Sequence, residues 1–547
     1  MKKETIIETI FLLAFIGTMF WIGIADSWGH KIQHDFPYSY LASDTFQHQT
    51  RAQWIKDTGN YKYEAPYYSA GYTNIVGFYP PILLHLSVLF SHISGLEVYD
   101  TILFITVFFA ITGSLIFYNI ISCWNKQIAI LSMPLMTYIF TIREARVAFY
   151  WGHWPALLGD FFLVACLWML INLQKKHSGI ILGILLAATT LAHTAATIFT
   201  VLFILIFFAI AVLRKKLEKK QLKNIIIAFT VLLILTAYFL ILFKQTWMVV
   251  FPFTFQIWTD WTGGGGFITL QSFGTYTLLI MALGMFFIIF SKNQNNFFQK
   301  LIALFSLGAG FTNYIGFSNR AFNFRFYWPI LLSVLFGTGI YKIAKKVINN
   351  LTTFKSAAIS LAVIAILINY NYTPTGKIDG LMNQYTWQTL NWIKDNTEND
   401  AKIFFFYGDS YDQDGSLGNT HRRNTRVEII DLSQTLQNKK IEKEYPTKEL
   451  IESGTELPYR EGMFTYARVI AENKNVTGRK IRDVCSFDYY VFDKSGRYPV
   501  LVQFNQIIAN TFAQHNFTIV FDNPLSIVLK NQQHGGQCFG ANNTITL

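Results

Sequence analysis

The sequence predicts a polytopic α-helical membrane protein of about eleven spans, with an α/β domain at its C-terminal end. Three observations carry this. Of 547 residues, 52% are hydrophobic and only 14% charged, too apolar for an ordinary water-soluble chain. Apolar runs of roughly 15–22 residues recur, matching the ~20 residues a helix needs to cross a bilayer. Beyond residue 371 the apolar runs shrink to strand length.

The formal net charge of +12 does not point to nucleic acid, because the basic residues cluster between apolar runs. Lys2-Lys3, Lys175-Lys176, Arg214-Lys215-Lys216 with Lys219-Lys220, and Lys342 with Lys345-Lys346 form the pattern of cytoplasmic loops. The four cysteines, Cys123, Cys166, Cys485 and Cys538, show no zinc spacing. Cys485 and Cys538 can form a disulfide or remain free thiols.

Residues 5–25 follow a basic start and read as an uncleaved first span with the N-terminus in the cytoplasm. Further apolar runs fall at 78–94, 100–121, 127–142, 154–173, 178–192, 196–213, 225–244, 273–290, 300–317, 327–343 and 355–371. If all of them span, the basic cluster at 214–223 lies outside, against the positive-inside rule. The run at 78–94 is short, opens on Tyr79-Pro80-Pro81 and carries His85 and His92, so it is expected to be interfacial or re-entrant. The 178–213 stretch is expected to turn at Ala192-His193-Thr194. The loops at 27–98, 143–153, 245–272 and 318–326 then share the outer face with the C-terminal domain.

That domain, 372–547, follows a membrane domain of 1–371. Strands are expected at 403–407, 489–492, 517–521 and 526–529, helices at 383–396 and 502–515, and a polar tail from about Gln532. Sequons at Asn371, Asn475, Asn516 and Asn542 suit an external domain, although another at Asn350 falls on the expected inner side.

The first external loop contains the stretch most able to carry chemistry, Ser43 to Gly59. It reads as a short helix capped by Ser43 and ended by Gly59, placing Asp44, His48 and Arg51 on one face at i, i+4 and i+7. His34 and Asp35 precede it. The second loop adds Arg143, Glu144, Arg146 and His153, with Asp160 just inside the next span. The third adds Trp258 and Trp261 before Gly263–Gly266, and the fourth Arg320 and Arg325. Individually these residues have plain alternatives: arginines snorkel to headgroups, tryptophans form interfacial belts, and Asp44 complements a helix dipole. Together, a carboxylate able to act as base or hold a divalent cation, arginines for phosphate and aromatics for sugar faces suit glycosyl transfer from a polyprenyl-phosphate donor.

Asp44-x-x-x-His48-x-x-Arg51-Ala52, then Gly59 and Gly77-Phe78-Tyr79-Pro80-Pro81, resembles the opening of the GT-C superfamily of integral membrane glycosyltransferases. A narrower likeness is to membrane proteins labelled 6-pyruvoyl-tetrahydropterin synthase-related. The resemblance implies that Asp44 is the catalytic or metal-binding carboxylate, with His48 assisting, and that later external loops bind the lipid phosphate. It implies a Mg or Mn ion on Asp44, with Asp160 the weaker second candidate, and Arg320 and Arg325 on the donor phosphate. The chain departs from the pattern in that Asp44 is not part of an Asp-x-Asp or Asp-Glu pair, the stretch from Arg143 to Asp160 offers Glu144 and Asp160 without an Asp-x-Asp, and the C-terminal part has no Trp-Trp-Asp, which disfavours protein N-glycosylation.

The expected partners are a polyprenyl-phosphate sugar donor, membrane lipids, and a glycan, lipid or protein acceptor. Two other readings stand beside the transferase: a transporter or flippase of lipid-linked saccharides, and a non-catalytic scaffold. The first predicts charges buried mid-membrane, whereas the spans are nearly free of charge apart from Asp160.

Overall fold

The computed structural model describes residues 3–59, 80–213, 218–260, 268–290, 300–308, 326–372, 380–426 and 487–532, apart from 28, 30, 407, 412–413, 497–498 and 515–516, together with short strands at 64–65, 75–76, 440–444 and 479–483. Helix α1 (Lys3–Ser27) has 25 residues, or about 37 Å at 1.5 Å each, enough for the ~30 Å hydrocarbon core. The connection after α1 holds α2 (Ser43–Thr58), a two-residue ladder of β1 (Glu64–Ala65) and β2 (Ile75–Val76), and α3 (Ile82–Ser94). At 13 residues, α3 reaches only about 20 Å, in keeping with a segment that does not span.

The bundle continues through α4 (Val98–Ser122), α5 (Lys126–Met136), α6 (Tyr138–Thr141), α7 (Arg143–Tyr150), α8 (Trp154–Ile171), α9 (Ser178–Ala192), α10 (Thr194–Leu213), α11 (Lys219–Asp260), α12 (Thr275–Ile289), α13 (Trp328–Val347) and α14 (Thr353–Asn371). The break between α9 and α10 falls on His193, extended at φ −159°, as its sequence context predicts. A Cβ at Gly159 of α8 would lie 2.8 Å from the His193 Cβ, so α8 packs directly against this break.

Among the described residues, six helices are long and apolar enough to cross a membrane: α1, α4, α8, α10, α14 and the first part of α11. A seventh arises if the stretch 126–141 and α7, bent by 49° at Ile142, form one broken span. Eleven spans therefore require the shorter α9 and α12, the lysine-ended α13 and the 300–317 run, helical over 300–308, to cross as well. The chain is a multi-pass membrane protein.

The two ends of the bundle differ. At one, Glu8 of α1 accepts from Tyr118 Oη and Lys126 Nζ, each at 2.6 Å, tying α1 to the α4–α5 turn. At the other, the connection between α1 and α2 is fixed by Asp100 on the first turn of α4. Its carboxylate accepts from the His34 backbone N–H and pairs with His34 Nδ1, both at 2.8 Å, while Tyr99 Oη donates to the His34 carbonyl. Asp100 is fully buried, and this arrangement satisfies it.

After α14 come α15 (Gln384–Asn396), β3 (Lys402–Phe405), α16 (Asp414–Leu417), β4 (Arg423–Arg426), β5 (Lys440–Glu444), β6 (Arg479–Asp483), β7 (Tyr489–Asp493), α17 (Pro499–Ala513), β8 (Phe517–Asp522) and β9 (Ser526–Asn531). Five strands form one sheet in the order β4-β3-β7-β9-β8, parallel across β4, β3 and β7 and antiparallel thereafter. The expected strands and helices are present to within a few residues. Strand β4 escapes a hydropathy reading because Arg-Asn-Thr-Arg is polar, yet Asn424 is fully buried in it. Phe404, Phe406, Tyr490, Phe492, Phe512 and Phe517 form an aromatic core between the sheet and α17. Cys485 and Cys538 and the sequons at Asn475, Asn516 and Asn542 lie outside the described residues.

Candidate functional site

Helix α2 forms as expected, with one correction at its start. Ser43 is the first helical residue and not the cap; Ala42 holds the cap position in extended conformation without a side-chain bond. Thr45 Oγ1 instead donates to the Ala42 carbonyl at 2.5 Å. Gly59 ends the helix at φ 65°, its N–H reaching the Ile55 carbonyl, because a residue without Cβ enters the left-handed region freely.

One face of α2 turns into the protein. His48 and Arg51 are buried, at 5% and 6% exposure, while Asp44 on the first turn stays half-exposed. His48 meets the turn between α7 and α8, and this joins the connection after α1 to that turn. His48 hydrogen-bonds the Gly152 backbone, and its ring lies 6.1 Å from that of Trp154. Gly152 is required there twice over: its φ is 82°, and a Cβ would fall 2.6 Å from the Thr45 backbone nitrogen. Trp154 is fully buried among Tyr40, Phe149 and His48.

Burial, with the Arg51 guanidinium as second cause, holds the His48 ring down at about 3, against an ordinary 6.5; the Gly152 bond opposes this in part. His48 is therefore a neutral imidazole at pH 7.

The other candidates distribute as follows. Arg143 is exposed and Glu144 half-buried on the first turn of α7. Arg146, one turn on, is buried with its guanidinium 5.5 Å from the Tyr372 ring, a cation–π contact that ties α7 to the end of α14. His153 caps α8 by position, half-buried beside the Trp151 ring at 6.3 Å. Asp160 lies buried in α8, about 9 Å along the axis from Trp154. The α2 face thus gathers Asp44, His48 and Arg51 with the α7–α8 turn, and Asp160 sits apart from it. The backbone of Trp258 is in α11, its side chain outside the described residues, as are Trp261, Arg320 and Arg325.

Among the described residues no three His, Cys, Asp or Glu side chains converge. Asp44 as a lone carboxylate does not fit a protein-only cage. It does fit the manner in which Mg²⁺ is held, by one or two carboxylates with phosphate and water completing the shell.

The opposite face of α2 meets the C-terminal region. Gln49 and Asn419 exchange two amide hydrogen bonds, at 2.8 and 3.0 Å, both side chains buried. Thr50 Oγ1 donates to the Gly415 carbonyl at 2.6 Å, and a Cβ at Gly418 would fall 2.4 Å from Thr50 Cγ2. His421 pairs with Asp57 at 3.5 Å and stands edge-on to Trp54. Sequence reasoning missed Gln49, Trp154, Gly152, Asp100 and Asn419. The only signal for Gln49 and Thr50 was the want of an apolar stripe on α2, which demands partners on more than one face.

No protein-family model matches the sequence, and no curated protein matches it. Among solved structures, the oligosaccharyltransferase AglB of Archaeoglobus fulgidus, in complex with an inhibitory peptide and a dolichol-phosphate, superposes with a TM-score of 0.52 at 12% identity, over 96% of this chain and 75% of that one. A further structure of the A. fulgidus oligosaccharyltransferase, a complex with Zn and sulfate, gives a TM-score of 0.52 at 14% identity, over 95% and 73%. ArnT of Cupriavidus metallidurans bound to undecaprenyl phosphate gives 0.51 at 10% identity, over 97% and 99%. The mycobacterial arabinofuranosyltransferase AftD gives 0.51 at 12% identity, over 95% of this chain and 39% of that one. The narrower likeness to proteins labelled 6-pyruvoyl-tetrahydropterin synthase-related finds no support in these structures. At such identities the likeness is one of fold: the chain shares the architecture of these oligosaccharyltransferase, ArnT and arabinofuranosyltransferase structures.

Proposed function

We propose that this protein is a membrane glycosyltransferase that moves a sugar from a polyprenyl-phosphate-linked donor to a lipid, glycan or protein acceptor of the cell envelope. The observation that carries it is α2, which presents a half-exposed carboxylate at its open end and a buried imidazole and guanidinium along the same face. The basic loops favour an orientation with the N-terminus in the cytoplasm and the unit from residue 372 outside, after a membrane domain of 1–371.

In this reading Asp44 takes the proton from the acceptor nucleophile as that atom bonds the anomeric carbon. The anomeric C–O bond to phosphate breaks, and the polyprenyl phosphate leaves with the electron pair. His48, neutral and tied to Gly152, orients α2 rather than storing a proton. Arg51 and Arg146, with Arg143, Arg320 and Arg325, supply positive charge for the leaving phosphate. Glu144, His153, Trp258 and Trp261 are assigned to sugar contacts at the rim. A divalent cation, Mg or Mn, would be held by Asp44 together with donor phosphate and would neutralise phosphate charge. Asp160, buried in α8, is assigned no ligand role.

The test is turnover of radiolabelled polyprenyl-phosphate sugars by the purified protein in nanodiscs. Asp44→Asn is expected to lower turnover by about 10²–10⁴-fold with the thermal melt unchanged. Turnover equal to wild type in Asp44→Asn removes Asp44 from the chemistry. A donor panel that binds and is carried across a membrane without sugar release establishes the transporter instead.

A further inference from the structure

A cleft of about 360 Å³ opens between the C-terminal half of α2, the start of α4, and α15 with the turn at 418–421. Its volume falls within the ~300–1,000 Å³ of small-molecule sites. We propose that it is a binding subsite for a neutral saccharide of the acceptor, an inference that rests on the transferase reading above.

The chemistry of the walls selects the ligand. Trp387 of α15 is half-buried and lines the cleft in a T-shaped pair with Tyr99, at 5.7 Å and 84°, bringing an indole with apolar faces to the wall. Around it stand hydrogen-bonding groups of both kinds. The Asn391 side chain makes no hydrogen bond among the described residues, and its amide offers two donors and an acceptor. Gln53 keeps its carbonyl oxygen while its NH₂ donates to Asp57 at 2.8 Å. One stacking surface ringed by amides and carboxylates is what a polyhydroxylated ring with an apolar C–H face requires.

The charges on the walls largely cancel. Lys56, 3.4 Å from Glu97, and Lys394 balance Glu97 and Asp57, while His421, 3.5 Å from Asp57 and held down at about 4, carries no charge at pH 7. A phosphate entering here would meet two carboxylates beside two lysines, a field of no net sign that suits an uncharged ligand. Position points to the acceptor. Asp57 lies thirteen residues beyond Asp44, or about 20 Å along the helix. At that distance the cleft holds a part of the acceptor remote from the reacting atom, where added binding energy serves discrimination.

The experiment uses the full-length protein in nanodiscs and titrates it calorimetrically with methyl α-glucoside, methyl α-mannoside, N-acetylglucosamine, maltotriose and chitotriose, beside inorganic phosphate. At least one neutral saccharide is expected to bind saturably. Asn391→Ala and Trp387→Leu should each weaken that binding tenfold or more, and Asp44→Asn should leave it unchanged. The proposal falls if no neutral saccharide binds, if binding survives both cleft substitutions, or if phosphate is the ligand that binds. Asn391→Ala, at a half-buried helix surface, answers the question even if Trp387→Leu fails to fold. Donor turnover in the same preparation keeps the two readings separate. Turnover without saccharide binding overturns the cleft alone, and saccharide binding without turnover overturns the transferase alone.

Discussion

Between His48 and Arg51, the two buried members of the α2 face, the electrostatics run against protonation. Burial dominates, and the guanidinium adds to it, so the ring stays neutral and its bond to Gly152 persists across physiological pH. Arg51→Gln removes the second cause and leaves the first. The His48 titration, followed by NMR of labelled histidine, should move up from about 3 yet remain below the ordinary 6.5. A midpoint unchanged in Arg51→Gln would place the guanidinium too far away to act. Arg146 behaves differently, its charge spent on the Tyr372 ring. Its value to a phosphate therefore depends on how much of the guanidinium that ring leaves uncovered.

As an element, α2 is held between two partners, with the α7–α8 turn on one side and residues 415–421 on the other. A helix without an apolar stripe is unstable alone, and this one is stabilised by burying Phe46 and Ile55 and by satisfying Gln49, Thr50 and His48 on separate surfaces. Asn419→Ala strands the buried Gln49 amide, at a cost of about 1–3 kcal/mol. The expected result is a lower melting temperature together with reduced donor turnover, although Asn419 is remote from Asp44 in sequence. Turnover lost without any drop in melting temperature would give Asn419 a direct part in binding instead. Asp100 does for the preceding loop what Asn419 does for the helix, holding His34 through its backbone N–H and Nδ1.

Across the whole molecule, the contact between the membrane bundle and the C-terminal sheet carries a pH dependence. Burial and Lys394, then Arg422, push His421 down to about 4, while Asp57 of α2 and Asp395 of α15 pull the other way. His421 and His48 both have folded values below the unfolded 6.5, so the unfolded chain takes up their protons first. The stability they contribute is complete above pH 6.5 and is lost as pH falls toward 4 for His421 and 3 for His48. The thermal midpoint should therefore decline from pH 6.5 to 4, and His421→Asn should flatten that decline. A decline unaltered by His421→Asn would assign it to His48 or to carboxylates.

Composition, apolar run length and the placement of lysines were enough for a multi-pass helical protein, because a bilayer imposes length and hydropathy on each span locally. The break at His193, the short α3, the Gly59 stop and four of the five main-sheet strands followed from local propensity for the same reason. Asp44, His48 and Arg51 could be placed on one stripe from spacing alone, since helical periodicity fixes which residues share a face. What covers that stripe was decided only in three dimensions. That Gly152 must lack a Cβ, that Trp154 backs His48, and that Asn419 clasps Gln49 are contacts between residues up to 370 positions apart. No local pattern encodes such pairings, because each polar group's partner is chosen by the packing of the whole chain and not by its neighbours in sequence.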